Sequence, residues 1–169
     1  MAEVLRAGMA LPDAAFLQMR DGGMVSVPLR ELLAGRQVVI FAVPGAFTPT
    51  CDSAHMPSFV RNADALRDKG VDDIICVSVN DPHVMRRWAD LTGAIAAGIL
   101  VLADPAAAFT KAIGMDYSVP ERGMLDRSRR FSLLAVDGVV EVLNLEETPG
   151  ACEISAGNTM LEQVDRFIA

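Results

Sequence analysis

One segment of eight residues, PGAFTPTC at 44–51, combines side chains that could perform redox chemistry. It follows a run of apolar residues, and Cys51 falls where a helical pattern begins. The unpaired N–H groups and the positive dipole end at the start of a helix stabilise a thiolate. Thr48 stands three residues before Cys51, so its hydroxyl can reach the sulfur side of the same turn. Pro44 and Pro49 fix the loop backbone and remove two N–H donors, which predicts a rigid and partly dry pocket.

Two further cysteines, Cys76 and Cys152, make an odd total of three with no CxxC pair. Cys76 lies inside an apolar run typical of a buried strand, where a cysteine is usually inert. Cys152 follows the mostly polar segment 146–151, and we expect it to be more exposed. An inert core residue is also the common alternative for Cys51. We favour a nucleophile at position 51, because a cysteine that only fills the core would not be expected at the end of a loop and the start of a helix.

A metal site is the second chemistry to consider, since Cys51 and His55 are four residues apart and would share a helix face. His83 is the only other histidine, and no second Cys/His pair stands at ligand spacing. We therefore expect no metal, and we expect His55 to satisfy a local hydrogen bond near the turn. Gly93 and Gly98 are not followed by a lysine, so no phosphate-binding loop and no cofactor are predicted.

Composition narrows the class of protein and its partners. A chain of 169 residues with 51% hydrophobic and 22% charged residues indicates one folded domain over 1–169. Fifteen basic against 22 acidic residues give a net charge of −7, which argues against nucleic acid or an anionic membrane as a partner. The longest apolar run, 94–103, is shorter than the ~18 residues of a spanning helix, and no signal peptide is visible. We expect a cytoplasmic protein.

The elements that must position the 44–51 segment follow from hydrophobic periodicity and turn residues. The N-terminal part predicts a hairpin, and Pro57 predicts a kink in the helix that carries Cys51. The resulting order predicts an α/β fold, with a mixed sheet covered by helices on both faces. The predicted strands are 14–19, 24–27, 38–43, 74–79, 99–103, 131–136 and 139–144, and the predicted helices are 29–34, 48–68, 82–91, 106–113 and 160–168.

PGAFTPTC resembles the signature Pro-x-x-x-Thr-x-x-Cys of the thioredoxin-fold peroxiredoxins. It is most similar to the subgroup of plant type II enzymes, mammalian atypical two-cysteine enzymes and bacterial glutathione- or glutaredoxin-dependent relatives. The resemblance implies a thioredoxin-like fold and an antioxidant peroxidase that contributes to cell redox homeostasis. Further matching blocks are LRELLAG at 29–35, VVIFAV at 38–43, CVSVNDPHVM at 76–85, LADP at 102–105 and RSRRFSLLAVDGVVEVLN at 127–144.

The resemblance implies a role for each residue of the signature. Cys51 would attack the terminal oxygen of hydrogen peroxide or an alkyl hydroperoxide and become a sulfenic acid, releasing water or an alcohol. Thr48 would hold the peroxide and the thiolate by hydrogen bonds, and Pro44 would shield the sulfur from bulk water. Backbone N–H groups around Thr50 and Cys51 would bind the peroxide oxygens, with Gly45 in the same substrate-binding turn.

An arginine is also implied, to stabilise the thiolate and the charge that develops in the transition state. It matches Arg130, although Arg127 and Arg129 stand close by. Strand alternation places Arg129 and Arg130 on opposite faces, so only one can point at Cys51, and we favour Arg130. The alternative for all three arginines is a solvated basic edge that blunts a strand.

The positions of the other cysteines bear on how the sulfenic acid is reduced. Cys76 resembles the second cysteine of plant type II members, and Cys152 resembles the resolving cysteine of the mammalian atypical form. Either can resolve the sulfenate only if local unfolding brings its Cα within ~7 Å of that of Cys51. We favour glutathione, usually with glutaredoxin, as the external reductant, with an internal disulfide reduced by thioredoxin as the alternative.

Three other expectations complete the sequence-based interpretation. The resemblance implies a homodimer packed near the Cys51 loop. A thioredoxin-like disulfide reductase is a weaker hypothesis, because Thr48 stands where the first cysteine of a CxxC motif would be. A redox-sensing interaction module, in which oxidation of Cys51 is only a switch, is the non-catalytic hypothesis.

Overall fold

A mixed sheet of seven strands lies at the centre of the computed structural model, which describes residues 2–167. The strands along the chain are β1 (Ala15–Arg20), β2 (Gly23–Pro28), β3 (Gln37–Val43), β4 (Asp73–Ser78), β5 (Leu100–Ala103), β6 (Asp116–Val119), β7 (Met124–Ser128), β8 (Phe131–Val136) and β9 (Val139–Leu145). The order across the sheet is β2-β1-β5-β4-β3-β8-β9, and β6 pairs with β7 in a separate two-stranded sheet.

Five α-helices are described in residues 2–167. The third begins with a capping side chain: Asp81 accepts the N–H of Val84 at 2.9 Å, ahead of Pro82 at the first helical position. The last predicted helix ran to Ile168, which lies outside the described residues. In the described part of the chain, no helix has both the length and the apolar character needed to cross a bilayer. The helices are α1 (Leu29–Leu33), α2 (Met56–Asp68), α3 (Pro82–Leu91), α4 (Ala108–Ala112) and α5 (Gly157–Phe167).

β3 is the strand that carries the 44–51 segment, and it lies at the centre of the sheet. It pairs parallel with β4 and antiparallel with β8, so both of its edges are hydrogen-bonded. Six of its seven residues are buried, which is why its sequence is a continuous β-branched run rather than an alternating one. The chain leaves β3 at Val43, beside the residues that begin β8, because those two strands run in opposite directions.

Two hydrophobic layers cover the two faces of the sheet, as the sequence predicted. Alternate residues of β3 divide between them: Phe41 faces the layer of α2, α3 and α5, whereas Ile40 faces the layer of α1 and α4. The N-terminal hairpin β1–β2 extends the sheet beside β5 through the pair Leu17 and Ala103. The predicted α/β architecture, with a mixed sheet and an N-terminal hairpin, is therefore confirmed.

Two features differ from the sequence-based prediction. The hairpin of β6 and β7 was not predicted, because nearly all of its strand residues are exposed or half-buried and the strands lack an apolar stripe. The helix predicted from Thr48 onward is interrupted: a π-helical turn, Cys51–His55, precedes α2. Pro57 is the second residue of α2 and follows the π-helical turn without a break, so its missing N–H removes one hydrogen bond to that turn.

α2 and α5 approach each other closely at the start of α5. A Cβ atom placed on Gly157 would lie 2.5 Å from the carbonyl oxygen of Ser58 in α2. The N–H of Gly157 also donates to the Ser58 hydroxyl at 2.9 Å. Only a residue without a side chain permits this approach, which brings α5 and the loop before it against the helix that follows Cys51.

Candidate active site

Cys51 lies in a tight turn between β3 and α2. The carbonyl of Gly45 accepts the backbone N–H of Thr48 at 3.3 Å, and Phe47 between them takes a left-handed conformation with φ 67°. Cys51 is the first residue of the π-helical turn, and its side chain is 0% exposed. Cys51 therefore lies at the start of a helical segment, as the sequence predicted, and its thiol is buried beneath this turn.

Arg130 reaches this thiol from the start of β8. Its Nη2 donates to Cys51 Sγ at 3.0 Å, and the residue is 2% exposed. The pairing of Phe131 with Ala42 places the residue before β8 next to the end of β3. A guanidinium this close to sulfur favours the thiolate, since the charge is fixed and little water screens it.

His55 holds the same guanidinium from a second side. Its Nδ1 accepts from Arg130 Nη1 at 2.9 Å, and its Nε2 lies 3.0 Å from the carbonyl oxygen of Ser155. A carbonyl oxygen only accepts, so Nε2 carries the proton and Nδ1 presents its lone pair to the arginine. Burial, with the Arg130 charge in smaller part, lowers the pKa of His55 to about 3 against the opposing effect of the Ser155 bond. His55 is a neutral acceptor.

Thr48 is placed differently from the sequence-based prediction. Its hydroxyl donates to the carbonyl oxygen of Gly45 at 2.6 Å and makes no hydrogen bond to the sulfur of Cys51. A threonine hydroxyl commonly bonds a carbonyl three residues earlier in a turn, and Gly45 provides that acceptor here. With its proton engaged, the hydroxyl oxygen presents its lone pairs to a donor that enters the site.

The other substrate-binding candidates, Pro44, Gly45 and Thr50, lie in the same turn. Pro44 is buried, and its carbonyl oxygen accepts from Arg127 Nη1 at 3.4 Å. A Cβ on Gly45 would come within 3.0 Å of that same Nη1. The Thr50 hydroxyl donates to the carbonyl of Gly150 at 2.9 Å, which ties the turn to the segment before α5.

A cavity of about 560 Å³ opens over this turn. Pro44, Thr48, Thr50 and Arg130 line it, so the structure brings these predicted residues to one site. The opposite wall comes from the unpredicted β6–β7 hairpin and from the segment before α5. Further lining residues are Pro49, Tyr117, Val119, Glu121, Arg122, Met124, Thr148, Pro149 and Gly150.

Tyr117 and Met124 are site residues that the sequence did not point to. Both lie on the hairpin that lacked a strand pattern, and no spacing relates them to Cys51. Burial, followed by proximity to Cys51, raises the pKa of Tyr117 against the opposing charges of Arg130 and Arg127. The chain's single tyrosine therefore remains a neutral phenol at pH 7.

Cys76 and Cys152 occupy very different surroundings. Cys76 lies in the middle of β4, paired with Phe41 of β3, and is fully buried. Burial above all raises the pKa of the Cys76 thiol well above its usual value. Cys152 is half-buried in the loop before α5, and burial is again the main cause that raises its pKa. All three cysteines are free thiols.

The remaining arginines do not contact the sulfur. Arg127 reaches the carbonyl of Pro44, as described above, and lies beside the turn rather than beneath it. Arg129 is half-buried, and its backbone N–H donates to the carbonyl of Met115. Arg130 is thus the one of these three arginines that donates to the sulfur of Cys51.

A hydrogen bond also links the π-helical turn to α3. Trp88, which is buried in α3, donates its indole N–H to Asp52 at 2.9 Å. Asp52 directly follows Cys51. Within residues 2–167, no group of three or more His, Cys, Asp or Glu side chains could hold a metal ion.

Comparison with known proteins assigns the chain to a family. The family model for Redoxin matches residues 6–161. The chloroplastic peroxiredoxin-2E-2 of Oryza sativa subsp. japonica is 49% identical over 162 residues, which cover 94% of this chain and 72% of that protein. The chloroplastic peroxiredoxin-2E of Arabidopsis thaliana is 43% identical over 162 residues, with 94% and 68% covered.

A solved structure agrees with these relatives. The reduced Prx3 of Vibrio vulnificus in complex with H2O2 is 45% identical, with a TM-score of 0.89, and the match covers 95% of this chain and 99% of that chain. The resemblance stated from the 44–51 signature is therefore confirmed over nearly the whole chain, together with the thioredoxin-like fold. The chain belongs to the Redoxin family and, within it, to the peroxiredoxins, and it is a thiol-dependent peroxidase.

Proposed function

We propose that Cys51 is the nucleophile that reduces hydrogen peroxide and alkyl hydroperoxides in this enzyme. The observation that carries the proposal is the 3.0 Å contact between Arg130 Nη2 and Cys51 Sγ at the end of the central strand. The thiolate attacks the terminal peroxide oxygen, an S–O bond forms and the O–O bond breaks. Sulfur becomes a sulfenic acid, and the leaving oxygen takes up a proton as water or an alcohol.

We assign a role to each of the other site residues from its charge and from the hydrogen bonds that it can make. Arg130 stabilises both the thiolate and the negative charge that grows on the leaving oxygen. Thr48 accepts a hydrogen bond from the peroxide, since its own proton is held by Gly45. Pro44 limits water at the sulfur, and backbone N–H groups at Thr50 and Cys51 bind the peroxide oxygens.

Both substrate classes have support. The Vibrio vulnificus Prx3 that is 45% identical to this chain was solved with H2O2. The cavity over the turn has apolar side chains on its far wall, including Val119 and Met124, and these suit the hydrocarbon part of an alkyl hydroperoxide.

We propose an external thiol, glutathione with glutaredoxin, as the reductant. A thiolate of glutathione attacks the sulfenic sulfur, a mixed disulfide forms and water leaves. Cys76 is fully buried in the central sheet, and Cys152 is held in a hydrogen-bonded loop, so neither thiol is free to approach without local unfolding. The alternative is attack by Cys152 or Cys76 after local unfolding, which forms an internal disulfide and releases water. Thioredoxin then reduces that disulfide.

We also propose one domain over residues 1–169, a homodimer and a cytoplasmic location. The two hydrophobic layers share β3, which supports a single folding unit. Phe47, 50% exposed in the active-site turn, supports a dimer contact there.

The three free thiols suit a reducing compartment. Two relatives carry chloroplastic names, so cell fractionation distinguishes the two locations.

The experiment that tests the proposal is intact mass under non-reducing conditions after one equivalent of hydrogen peroxide. The wild type is expected to gain one oxygen and to convert to a glutathione adduct when glutathione is added. The Cys51→Ser variant should remain unchanged. Loss of two hydrogens in the wild type would identify an internal disulfide instead, and peptide mapping would then choose between Cys76 and Cys152. A wild type that keeps its mass would contradict the assignment of Cys51.

A further inference from the structure

Residues 146–155, called here the 146–155 loop, supply three backbone carbonyls to the active site. Each accepts a hydrogen bond from a side chain placed at or beside Cys51. The loop therefore fixes the orientation of the catalytic groups although it contributes no side chain to the sulfur. The three pairs are Pro149 with Arg130 Nε at 3.0 Å, Gly150 with the Thr50 hydroxyl at 2.9 Å, and Ser155 with His55 Nε2 at 3.0 Å.

A single carboxylate oxygen closes this loop. Glu146 is 3% exposed, and its Oε2 accepts four hydrogen bonds from the far end of the loop. The donors are the backbone N–H groups of Glu153, Ile154 and Ser155, at 2.9, 2.9 and 2.7 Å, and the Ser155 hydroxyl, at 2.6 Å. The backbone N–H of Glu146 also donates to the carbonyl of Arg130 at 3.0 Å.

Glu146 thus joins the strand that carries Arg130 to the residue whose carbonyl orients His55. Its burial is unfavourable for a carboxylate unless donors satisfy it, and the four donors do so. If the carboxylate were lost, three backbone N–H groups would be left without this acceptor, and the hydrogen bonds that join the two ends of the loop would be lost.

We propose that Glu146 is a positioning residue: by closing the 146–155 loop it keeps Arg130 and His55 aligned on Cys51. The inference rests on the proposed roles of Cys51 and Arg130. The same closure restrains Cys152, which lies inside the loop. Loosening the loop therefore slows oxidation of Cys51 and exposes Cys152, two effects of opposite direction on the two thiols.

The test compares Glu146→Gln with Glu147→Gln, a neighbouring and exposed glutamate that matches the change in charge and shape. The first quantity measured is the rate constant for oxidation by hydrogen peroxide. The second is the pH at which half of Cys51 is ionised, obtained from the pH dependence of its alkylation. The third is the rate at which iodoacetamide labels Cys152. Glu146→Gln is expected to slow oxidation by about tenfold to a hundredfold. It should also raise the pH of half ionisation and speed labelling of Cys152, whereas Glu147→Gln should match the wild type.

Equal behaviour of the two glutamine variants would overturn the inference, and so would slower oxidation without any change in the ionisation profile of Cys51. Because Cys51→Ser tests the proposed function separately, either result would leave that function standing. If Glu146→Gln does not fold, Ser155→Ala removes only the hydroxyl that donates to the same oxygen. That variant should slow oxidation and raise the pH of half ionisation by smaller factors, and no change in these two quantities would again overturn the inference.

Discussion

Arg130 meets three acceptors at once, and this is the main source of order at the site. Its guanidinium donates to the sulfur of Cys51, to the ring of His55 and to the carbonyl of Pro149. A planar guanidinium with all three directions occupied cannot rotate away from the sulfur without losing hydrogen bonds. The positive charge is thus present before the peroxide arrives, which is the form of electrostatic stabilisation that accelerates reactions most.

Arg130→Ala is therefore expected to reduce the rate constant for peroxide reduction by about 100-fold to 1,000-fold, as for loss of a preorganised donor. The fraction of Cys51 present as thiolate at pH 7 should fall as well. Stopped-flow oxidation and the pH profile of alkylation measure the two effects. Arg127→Ala is the control, since Arg127 contacts the carbonyl of Pro44 and not the sulfur. Equal losses in the two variants would refute our choice of arginine.

His55 gives the fold a pH dependence of known sign. Its pKa is about 3 in the folded protein and 6.5 as the ordinary value, so the unfolded chain binds more protons between these limits. The stability that the fold gains by keeping His55 neutral is present above pH 6.5 and is lost as the pH falls toward 3. Between pH 6.5 and 5 we expect the free energy of unfolding to fall by about 1.5 kcal/mol from this group. Urea unfolding at several pH values measures it.

The control for this pH dependence is His83, which is exposed. His55→Asn keeps an acceptor for Arg130 but does not titrate, so it should remove most of the change between pH 6.5 and 5. His83→Asn should leave that change in place. The opposite pattern would show that His55 is not the buried neutral histidine of the site.

For single residues, the sequence predicted relations between neighbours along the chain but not contacts between residues far apart in sequence. Their spacing was enough to predict that Cys51 and Thr48 share one turn after a buried strand, whereas Arg130 was chosen from a resemblance and from strand alternation. The links from His55 to Arg130 and to Ser155 join residues 75 and 100 positions apart. Glu146 likewise looked like one more polar loop residue, because only the fold reveals that it is buried among donors.

At the scale of elements, the site depends on how α5 is packed. Gly157 lets the start of α5 approach Ser58 of α2, and the 146–155 loop ends just before it. The loop's last carbonyl, at Ser155, therefore stays near His55 only while the two helices remain in contact.

Gly157→Ala should destabilise the fold by about 1–3 kcal/mol, since its Cβ would overlap the backbone of α2 and force the helices apart. Chemical denaturation measures the loss. Gly22→Ala is the matched control, because a Cβ there would meet nothing within 4 Å. A loss no greater than that of the control would mean that the α2–α5 contact adjusts freely.

Elements with a strong apolar pattern were predicted well, and those without one were missed. The strand Phe131–Val136 was predicted with both of its ends, because it is buried and a sharp Asp-Gly turn follows it. The β6–β7 hairpin has no such stripe, since nearly all of its strand residues are exposed or half-buried. The π-helical turn was likewise missed, because one extra residue in a single turn hardly changes the spacing of apolar residues along the helix.

At the scale of the whole molecule, exposed apolar side chains lie next to the site on an otherwise acidic protein. Phe47 is 50% exposed in the turn, and Leu125 is 59% exposed on β7, beside the cavity-lining Met124. An aromatic ring exposed in the active-site turn is a candidate contact with a second copy of the chain. These exposed apolar side chains support the proposed homodimer near the Cys51 loop.

Sedimentation velocity at micromolar concentration is expected to show a dimer for the wild type. Phe47→Asn should shift it toward monomer, because asparagine tolerates the left-handed backbone at this position but removes the apolar ring. Leu91→Asn, at an equally exposed leucine of α3 that is 60% accessible, should leave the dimer intact. A wild type that sediments only as monomer would refute the dimer.

The hydrogen bond between Trp88 and Asp52 has an optical consequence. Trp88 is the only tryptophan of the chain, and its indole is bonded to the residue next to Cys51. Any unwinding of the π-helical turn that brings the sulfur to another thiol must separate this pair and change the polarity around the indole. If Cys51 reacts through such an unwinding, the emission of Trp88 reports it in unlabelled protein.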